Sequence, residues 1–158
     1  MNVTVVCVGK IKEKFFTDAI NEYAKRLSRF CKIDIVEVKD IKIPDGASQK
    51  ECDAILEKEG ELILSKIPKD SYVIPLCIEG KELSSPELAA KISSISMEKS
   101  HITFIIGGSL GMSNAVKNTG NFRLSFGKMT LPHQLMRVVL LEQVYRGFKI
   151  NAGESYHK

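Results

Sequence analysis

The sequence lacks the features that mark membrane, secreted or disordered proteins. Its apolar runs, such as residues 5–8 and 138–141, fall far short of the ~18 residues that a membrane-spanning helix needs. The first residues have neither the basic start nor the small-residue cleavage site of a signal peptide. With 44% hydrophobic and 27% charged residues, the composition excludes disorder and collagen-like repeats. We therefore expect residues 1–158 to form one soluble, cytoplasmic domain with no membrane partner.

Cysteines are few and their spacing does not suggest a metal site. Cys7, Cys31, Cys52 and Cys77 lie 24, 21 and 25 positions apart, with no Cys-x-x-Cys pair and no histidine close by. A structural zinc site takes its ligands in local pairs, so this spacing argues against bound metal. We expect four thiols in a reducing compartment and no metal cofactor.

Negative charge is scarce in the last third of the chain. No aspartate follows Asp70, and residues 101–158 hold seven Lys/Arg against two Asp/Glu, whereas residues 1–100 hold 16 against 17. Such a basic segment is typical of a surface that meets phosphates. The alternative is a solvated face whose counter-charges come from the first part of the folded chain.

Strand and helix signals alternate along the chain. Apolar or β-branched runs predict strands at residues 3–8, 32–39, 72–78, 102–106 and 122–126. Helical periodicity or cap signals predict helices over residues 15–30 and 48–67, from Ser85, around residues 115–117 and from Pro132. Gly60 puts the continuity of the second helix in question. Five such β-α units predict an α/β fold, a parallel-dominated sheet with helices on both faces.

Three loops that follow strands are candidate ligand sites, because parallel sheets bind ligands off the carboxyl ends of their strands. They are residues 76–81, 107–111 and 127–132. The glycine loop, residues 107–111, is followed by no Gly-Lys-Ser/Thr and does not match the dinucleotide fingerprint. It is either a tight turn without a ligand or a close backbone approach to an uncharged or zwitterionic cofactor. No nucleophile elbow is present, which leaves nucleophilic catalysis unsupported.

Several segments resemble the ribosomal RNA large-subunit methyltransferase H family, which consists of SPOUT-class enzymes. They are residues 105–111, 124–146 and 156–158, with shorter matches at 8–10 and 78–81. Together they span essentially the whole chain, and residues 124–146 are the most specific. The resemblance implies a SPOUT-type fold with a C-terminal trefoil knot and a homodimer. It also implies S-adenosylmethionine-dependent methylation of ring nitrogen 3 of a pseudouridine in 23S ribosomal RNA, on the assembled ribosome.

The same resemblance assigns site residues. Its cofactor contacts fall on Leu76, Gly108, Gly127, Lys128, Met129, Thr130, Leu131 and Pro132. The catalytic candidates, chosen by side-chain chemistry within the matching segments, are His157, Arg146 and Tyr156. A base of moderate pKa is needed to take the proton of the target nitrogen, which suits His157, although a terminal histidine is by default a solvated tail residue.

The other candidates have similar alternatives. Arg146 would hold a phosphate or a base carbonyl oxygen, or else complement the helix dipole. Tyr156 would stack on a splayed base, and Leu76 is either core or an adenine contact. The last helix carries apolar Leu135, Val138, Val139, Leu141 and Tyr145 over a wide arc, which predicts cover by a second copy.

Two other classes of function stay open. A non-catalytic RNA- or ribosome-binding module of the same fold would bind RNA and no cofactor. A small-molecule nucleotide-binding α/β enzyme is disfavoured by the missing phosphate loop. Binding of S-adenosylmethionine discriminates between these classes and the methyltransferase.

Overall fold

A computed structural model describes all 158 residues and contains five strands and five helices. The strands are β1 (Asn2–Val8), β2 (Lys32–Val38), β3 (Tyr72–Glu82), β4 (His101–Ile106) and β5 (Leu124–Ser125). The helices are α1 (Lys14–Leu27), α2 (Gln49–Leu64), α3 (Ser85–Glu98), α4 (Asn114–Asn118) and α5 (His133–Asn151). None of these helices is both long and apolar enough to cross a lipid bilayer.

The strands form one sheet in the order β2-β1-β4-β3-β5, and all neighbouring strands are parallel. Alternate residues of β1 face opposite sides of the sheet, so Val5 packs in one core cluster and Val6 in the other. The larger cluster lies under α1, α3 and α5, and the smaller one lies under α2 and α4. The predicted fold class, a parallel sheet with helices on both faces, is confirmed.

The loop expected at residues 76–81 is strand instead. β3 pairs with β4 only as far as Pro75, then continues to Glu82 along β5. The register shifts between Leu76 and Lys81, both of which oppose Leu124. β5 itself has two residues rather than the predicted five, because its partner strand stays in register only briefly.

The structure contains the five predicted helices, with two local differences. α2 continues through Gly60, where a Cβ would lie 2.6 Å from Oγ of Ser113, the residue that caps α4. Gly60 therefore permits close helix packing rather than breaking a helix. α3 is capped by Ser84, one residue before the predicted Ser85, and Glu87 completes a capping box.

Helix α5 packs between α1 and α3 on one face of the sheet. Leu140, Leu141 and Val144 are fully buried, and no residue from His133 to Ile150 is fully exposed. The apolar arc that predicted cover by a second copy is thus largely covered within the chain. The case for a dimer has to rest on other observations.

A buried arginine joins the start of α5 to the carboxyl ends of β1 and β2. Arg137 is 1% exposed and donates to the carbonyl oxygens of Val8 (3.1 Å) and Gly9 (2.6 Å) and to the Glu37 carboxylate (2.7 Å). Glu37 also accepts the backbone N–H of Ile11 at 3.3 Å. Because a buried charge needs such partners, these contacts hold α5 and the β1–α1 loop at the same edge of the sheet.

Candidate functional site

A cavity of about 710 Å³ opens at the carboxyl edge of the sheet. Its walls are residues 76–79 of β3, residues 106–112 at the end of β4 and after it, and residues 126–127 and 129–134 before and at the start of α5. Lys117, Leu124 and Met136 complete the lining. Half of its 22 lining residues are apolar. A cavity of this size with apolar walls and a few polar groups suits an organic cofactor.

Seven of the eight residues predicted to contact a cofactor line this cavity. They are Leu76, Gly108, Gly127, Met129, Thr130, Leu131 and Pro132. Lys128 is the exception, since it is exposed and lies outside the lining. Leu76 also packs against the larger core cluster, so it is both a core residue and part of the cavity wall.

The glycine loop is at once a tight turn and a cavity wall. The N–H of Gly111 donates to the Gly108 carbonyl at 3.0 Å, and a Cβ at Gly107 would lie 2.3 Å from the Gly111 oxygen. No side chain fits at Gly107. A Cβ at Gly108 would meet Val8 and Glu59, neither of which lines the cavity. The loop therefore presents its backbone to the cavity.

The loop before α5 is fixed at its root and exposed at its tip. Oγ of Ser125 accepts the N–H of Gly127 at 3.1 Å and donates to the Ile78 carbonyl at 2.9 Å. Gly127 has φ +123°, a conformation in which side chains are strained. Met129, at the tip, is 86% exposed.

Few ionisable side chains line the cavity. The acid and the lysine among them are paired with each other, and the histidine is neutral. Glu79 accepts from Nζ of Lys117 at 2.6 Å, and this hydrogen bond lowers the pKa of Glu79. Nδ1 of His133 is buried without a partner. Burial, and then the charge of Arg137, lower the pKa of His133, so its imidazole is neutral at pH 7.

The three predicted catalytic residues form a cluster near the other end of α5. Nε and Nη2 of Arg146 donate to one oxygen of Glu142 at 3.1 and 2.6 Å, and the Tyr156 hydroxyl donates to the same oxygen at 3.2 Å. Nη1 of Arg146 lies 3.3 Å from Nδ1 of His157. A guanidinium can only donate, so Nδ1 accepts and the neutral imidazole carries its proton on Nε2.

The chain end docks on its own protomer, whereas a terminal histidine by default belongs to a solvated tail. The Tyr156 ring packs edge-on against Tyr145, with centroids 5.0 Å apart. Glu154 pairs with Arg29 at 2.7 Å and with Lys149. These contacts fix the tail while His157 itself stays exposed.

Glu142 is the functional residue that the sequence analysis missed. It joins Arg146 to Tyr156, and its hydrogen bond raises the pKa of Arg146. Its i, i+4 spacing from Arg146 is a signal that could have found it. Arg146 lies five residues before the end of α5, so its partner is this carboxylate and not the helix dipole.

The cavity and the tail cluster lie at opposite ends of α5. His133 and Arg146 are 13 residues apart, a separation of about 20 Å along a helix that rises 1.5 Å per residue. None of Glu142, Arg146, Tyr156 and His157 lines the cavity. Within one chain the cofactor candidates and the catalytic candidates do not form one site.

Folding compensates only part of the positive charge of residues 101–158. Four of its cations are paired, namely Lys117 with Glu79, Arg137 with Glu37, Arg146 with Glu142, and Lys149 with Glu154. Glu79 and Glu37 come from the first 100 residues, whereas Glu142 and Glu154 belong to the segment itself. The first part of the chain thus supplies two counter-charges, and the alternative in which the fold compensates the basic segment holds only in part.

The fold and the family model define the class of protein. A tRNA methyltransferase from Aquifex aeolicus is 15% identical, with a TM-score of 0.53 over 92% of this chain and 70% of that chain. The family model described as "Predicted SPOUT methyltransferase" matches residues 1–157. The architecture is that of the SPOUT methyltransferases.

Full-length relatives narrow the assignment. Ribosomal RNA large subunit methyltransferase H from Clostridium novyi is 57% identical and that from Bifidobacterium adolescentis 56%, each over 100% of both chains. The chain belongs to the SPOUT methyltransferases and, within them, to the ribosomal RNA large subunit methyltransferase H family. The resemblance found in the sequence is confirmed.

Proposed function

We propose that this protein uses S-adenosylmethionine to methylate ring nitrogen 3 of a pseudouridine in 23S ribosomal RNA, on the assembled ribosome. The observation that carries this proposal is the single cavity that collects seven of the eight residues assigned to the cofactor. The name of the relatives supports ribosomal RNA of the large subunit as the substrate. Residues 1–158 would act as one cytoplasmic catalytic domain with the trefoil knot implied by the resemblance.

The cavity fits this cofactor in its chemistry. S-adenosylmethionine has a flat adenine, a zwitterionic methionine end and no phosphate, so it needs no cluster of free cations. Leu76, Leu131 and Pro132 would pack against the adenine, and the backbone groups of Gly108 and residues 127–132 would bond its polar edges. When bound, the cofactor supplies an electrophilic methyl group on its sulfonium.

The separation of the two clusters indicates a site shared between two copies. A homodimer in which the tail cluster of one protomer faces the cavity of its partner would complete the site. Exposed apolar side chains at the cavity rim support burial of this rim by a second copy. In the single chain they are Ile78, Phe126, Met129 and Leu131.

In the shared site the tail cluster would handle the target base and its proton. Burial, and then the charge of Glu142, raise the pKa of Tyr156, so its phenol stays protonated and is suited to stacking. His157 would take the proton of ring nitrogen 3 at Nδ1 once Arg146 releases it. The freed Arg146 guanidinium would then bind a carbonyl oxygen or a phosphate of the substrate.

Two measurements test the reaction. Calorimetry should show micromolar binding of S-adenosylmethionine and S-adenosylhomocysteine, and ribosomes from cells that lack this gene should accept a radiolabelled methyl group. Absence of binding by either compound contradicts the cofactor assignment. Ribosome binding without cofactor binding would identify a non-catalytic RNA-binding module, and cofactor binding without transfer would contradict the substrate.

A heterodimer tests the shared site. Gly127→Val is chosen to damage the cavity and His157→Gln to damage the tail. At a limiting concentration of S-adenosylmethionine the two homodimers should keep about a tenth and about a hundredth of the wild-type rate. Co-expression with two different tags yields the heterodimer, in which one of two sites is intact, so about half of the wild-type rate should return. A heterodimer as inactive as its parents, or a protein that sediments at 17.6 kDa, would contradict the shared site.

A further inference from the structure

Four lysines lie exposed in the loops that follow β1 and β2. They are Lys10, Lys12, Lys39 and Lys42, and we name them the lysine patch. β1 and β2 are parallel neighbours, and the N–H of Gly9 donates to the Val38 carbonyl at 2.9 Å. The two loops therefore leave the sheet side by side at its carboxyl edge.

The ammonium groups of the lysine patch are free. The seven ion pairs of the structure include none of them, whereas the neighbouring Lys14 is paired with Asp18. The same loops carry three acids, Glu13, Asp40 and Asp45. Asp40 faces the buried carboxyl of Glu59, whose pKa is raised by burial and further by Asp40. A surplus of positive charge remains on the solvent side.

Hydrogen bonds fix the backbone of each of the two loops that carry the lysine patch. The N–H of Ile11, between Lys10 and Lys12, donates to Glu37, the carboxylate that Arg137 also holds. The N–H of Ile41, next to Lys42, donates to the 4% exposed Glu59 at 3.1 Å. The carboxylates of Glu37 and Glu59 thus hold the loop backbones, while the four lysines are exposed.

The patch borders the cavity. Cε1 of His133, a lining residue, lies 3.3 Å from the position of a Cβ on Gly9, and Cβ of Asp40 lies 3.6 Å from it. Lys10 directly follows Gly9, and Lys39 directly precedes Asp40. A strand whose base enters the cavity carries its phosphates past this rim, with one negative charge per nucleotide.

We propose that the lysine patch binds the phosphates of the RNA strand that flanks the target base. This inference rests on the proposed function and adds the surface that holds the substrate. An acidic protein segment could also meet four lysines, but only an RNA strand is continuous with a base in the cavity. RNA is therefore the partner that the geometry favours.

Steady-state kinetics with ribosomes test the patch. The variant carries Lys10→Gln, Lys12→Gln, Lys39→Gln and Lys42→Gln. The control carries Lys58→Gln, Lys66→Gln, Lys69→Gln and Lys99→Gln, four exposed and unpaired lysines outside these loops. The patch variant should raise the KM for ribosomes about tenfold or more and flatten its salt dependence by about 0.7–0.9 per lost contact.

The other parameters separate binding from damage. In both variants kcat should stay within about threefold and S-adenosylmethionine affinity within about twofold, since neither set lines the cavity. A KM and a salt slope equal to those of the wild type would overturn the proposal. So would an equal rise of KM in the control variant.

Two further measurements separate this proposal from the proposed function and from a protein partner. If the wild type transfers no methyl group, co-sedimentation with ribosomes decides. Loss of binding in the patch variant alone supports the patch, and equal binding or no binding by the wild type overturns it. A photo-reactive residue at the position of Lys39 should cross-link to 23S ribosomal RNA, whereas a cross-link to ribosomal protein alone overturns the choice of RNA.

Discussion

The two ends of α5 hold the two halves of the candidate site, and they differ in chemistry. Near His133 the walls are glycine backbone and apolar side chains, and the one lining acid, Glu79, is paired with Lys117. Near Arg146 a carboxylate, a guanidinium, a phenol and an imidazole form one chain of hydrogen bonds. The first end is suited to holding a zwitterionic ligand and the second to moving a proton.

Because the two ends of α5 differ in this way, we expect different substitutions to abolish cofactor binding and methyl transfer. α5 is one continuous helix packed between α1 and α3, so the groups at its two ends stay apart within one chain. Substitutions at the cavity end should change cofactor affinity or stability, and substitutions at the tail end should change turnover. The predictions below test that division.

The largest effect is expected at Arg137, which holds the cavity end together. Arg137→Met leaves the carbonyls of Val8 and Gly9 without their donor and Glu37 without its cation. Glu37 is partly exposed, so we expect the lower end of the range for broken buried pairs, a loss of about 3 kcal/mol in the free energy of unfolding.

Urea unfolding at a fixed protein concentration measures this loss. The matched control is Lys14→Met, which removes an exposed i, i+4 pair with Asp18 and should cost less than about 0.5 kcal/mol. Similar losses in the two variants would contradict the role of Arg137 as the tie between α5 and β1.

The tail end should control turnover. Deletion of residues 156–158 should lower methyl transfer to ribosomes by about 10²-fold if His157 takes the proton. S-adenosylmethionine affinity should stay within about threefold, because the tail lies outside the cavity. Radiolabel transfer and calorimetry on the same preparations measure both quantities.

Single substitutions show how much of this loss of methyl transfer each tail residue accounts for. His157→Gln should share most of the loss. Tyr156→Ala should act through RNA affinity, by about 1–3 kcal/mol if the ring stacks on a base, while Tyr156→Phe keeps the ring and should lose less. Full activity of the truncated protein would show that the tail is ordinary solvated chain.

At the cavity end, Gly127→Val should weaken cofactor binding. Gly127 has φ +123° and no atom lies within 4 Å of a Cβ there, so the effect is local backbone strain, and we expect an affinity loss of about tenfold. Gly46→Val is the control, since Gly46 has φ +68° and equal space but lies outside the cavity lining.

Equal cofactor affinity in the two variants would remove Gly127 from the site. Gly108→Val, at another of the predicted cofactor contacts, is a poorer test. Its Cβ would lie 3.0 Å from Cγ1 of Val8, so that substitution would disturb core packing as well as the cavity wall.

Local patterns predicted the order of elements and the place of the ligand edge, because strand and helix periodicities are local properties. They could not predict contacts between distant positions. Arg137 bonds to residues 100 or more positions away, and Phe15, an apolar residue of the predicted helix over residues 15–30, is 65% exposed. The cofactor residues came from the family resemblance, since glycine loops of this kind have no general ligand.

The smallest expected effect is on pH dependence, and it concerns two histidines outside the tail. Burial lowers the pKa of His133 and of His101 below the ordinary value of 6.5. As the pH falls below about 6.5 the unfolded chain therefore binds protons that the folded chain does not. The free energy of unfolding should be at its full value above that pH and decline as the pH falls through the folded pKa values.

His133→Gln should remove part of this decline. Because Nδ1 of His133 has no hydrogen-bond partner, the substitution should change stability at pH 8 by less than about 0.5 kcal/mol. His101→Gln should also flatten the decline, but it loses the hydrogen bond to Thr4 (2.8 Å) and should be less stable at pH 8 as well. Urea titrations from pH 8 to pH 5 at one protein concentration give these slopes. A slope for His133→Gln equal to that of the wild type would mean that His133 binds protons alike in the folded and unfolded chains, and that burial at the cavity end does not lower its pKa.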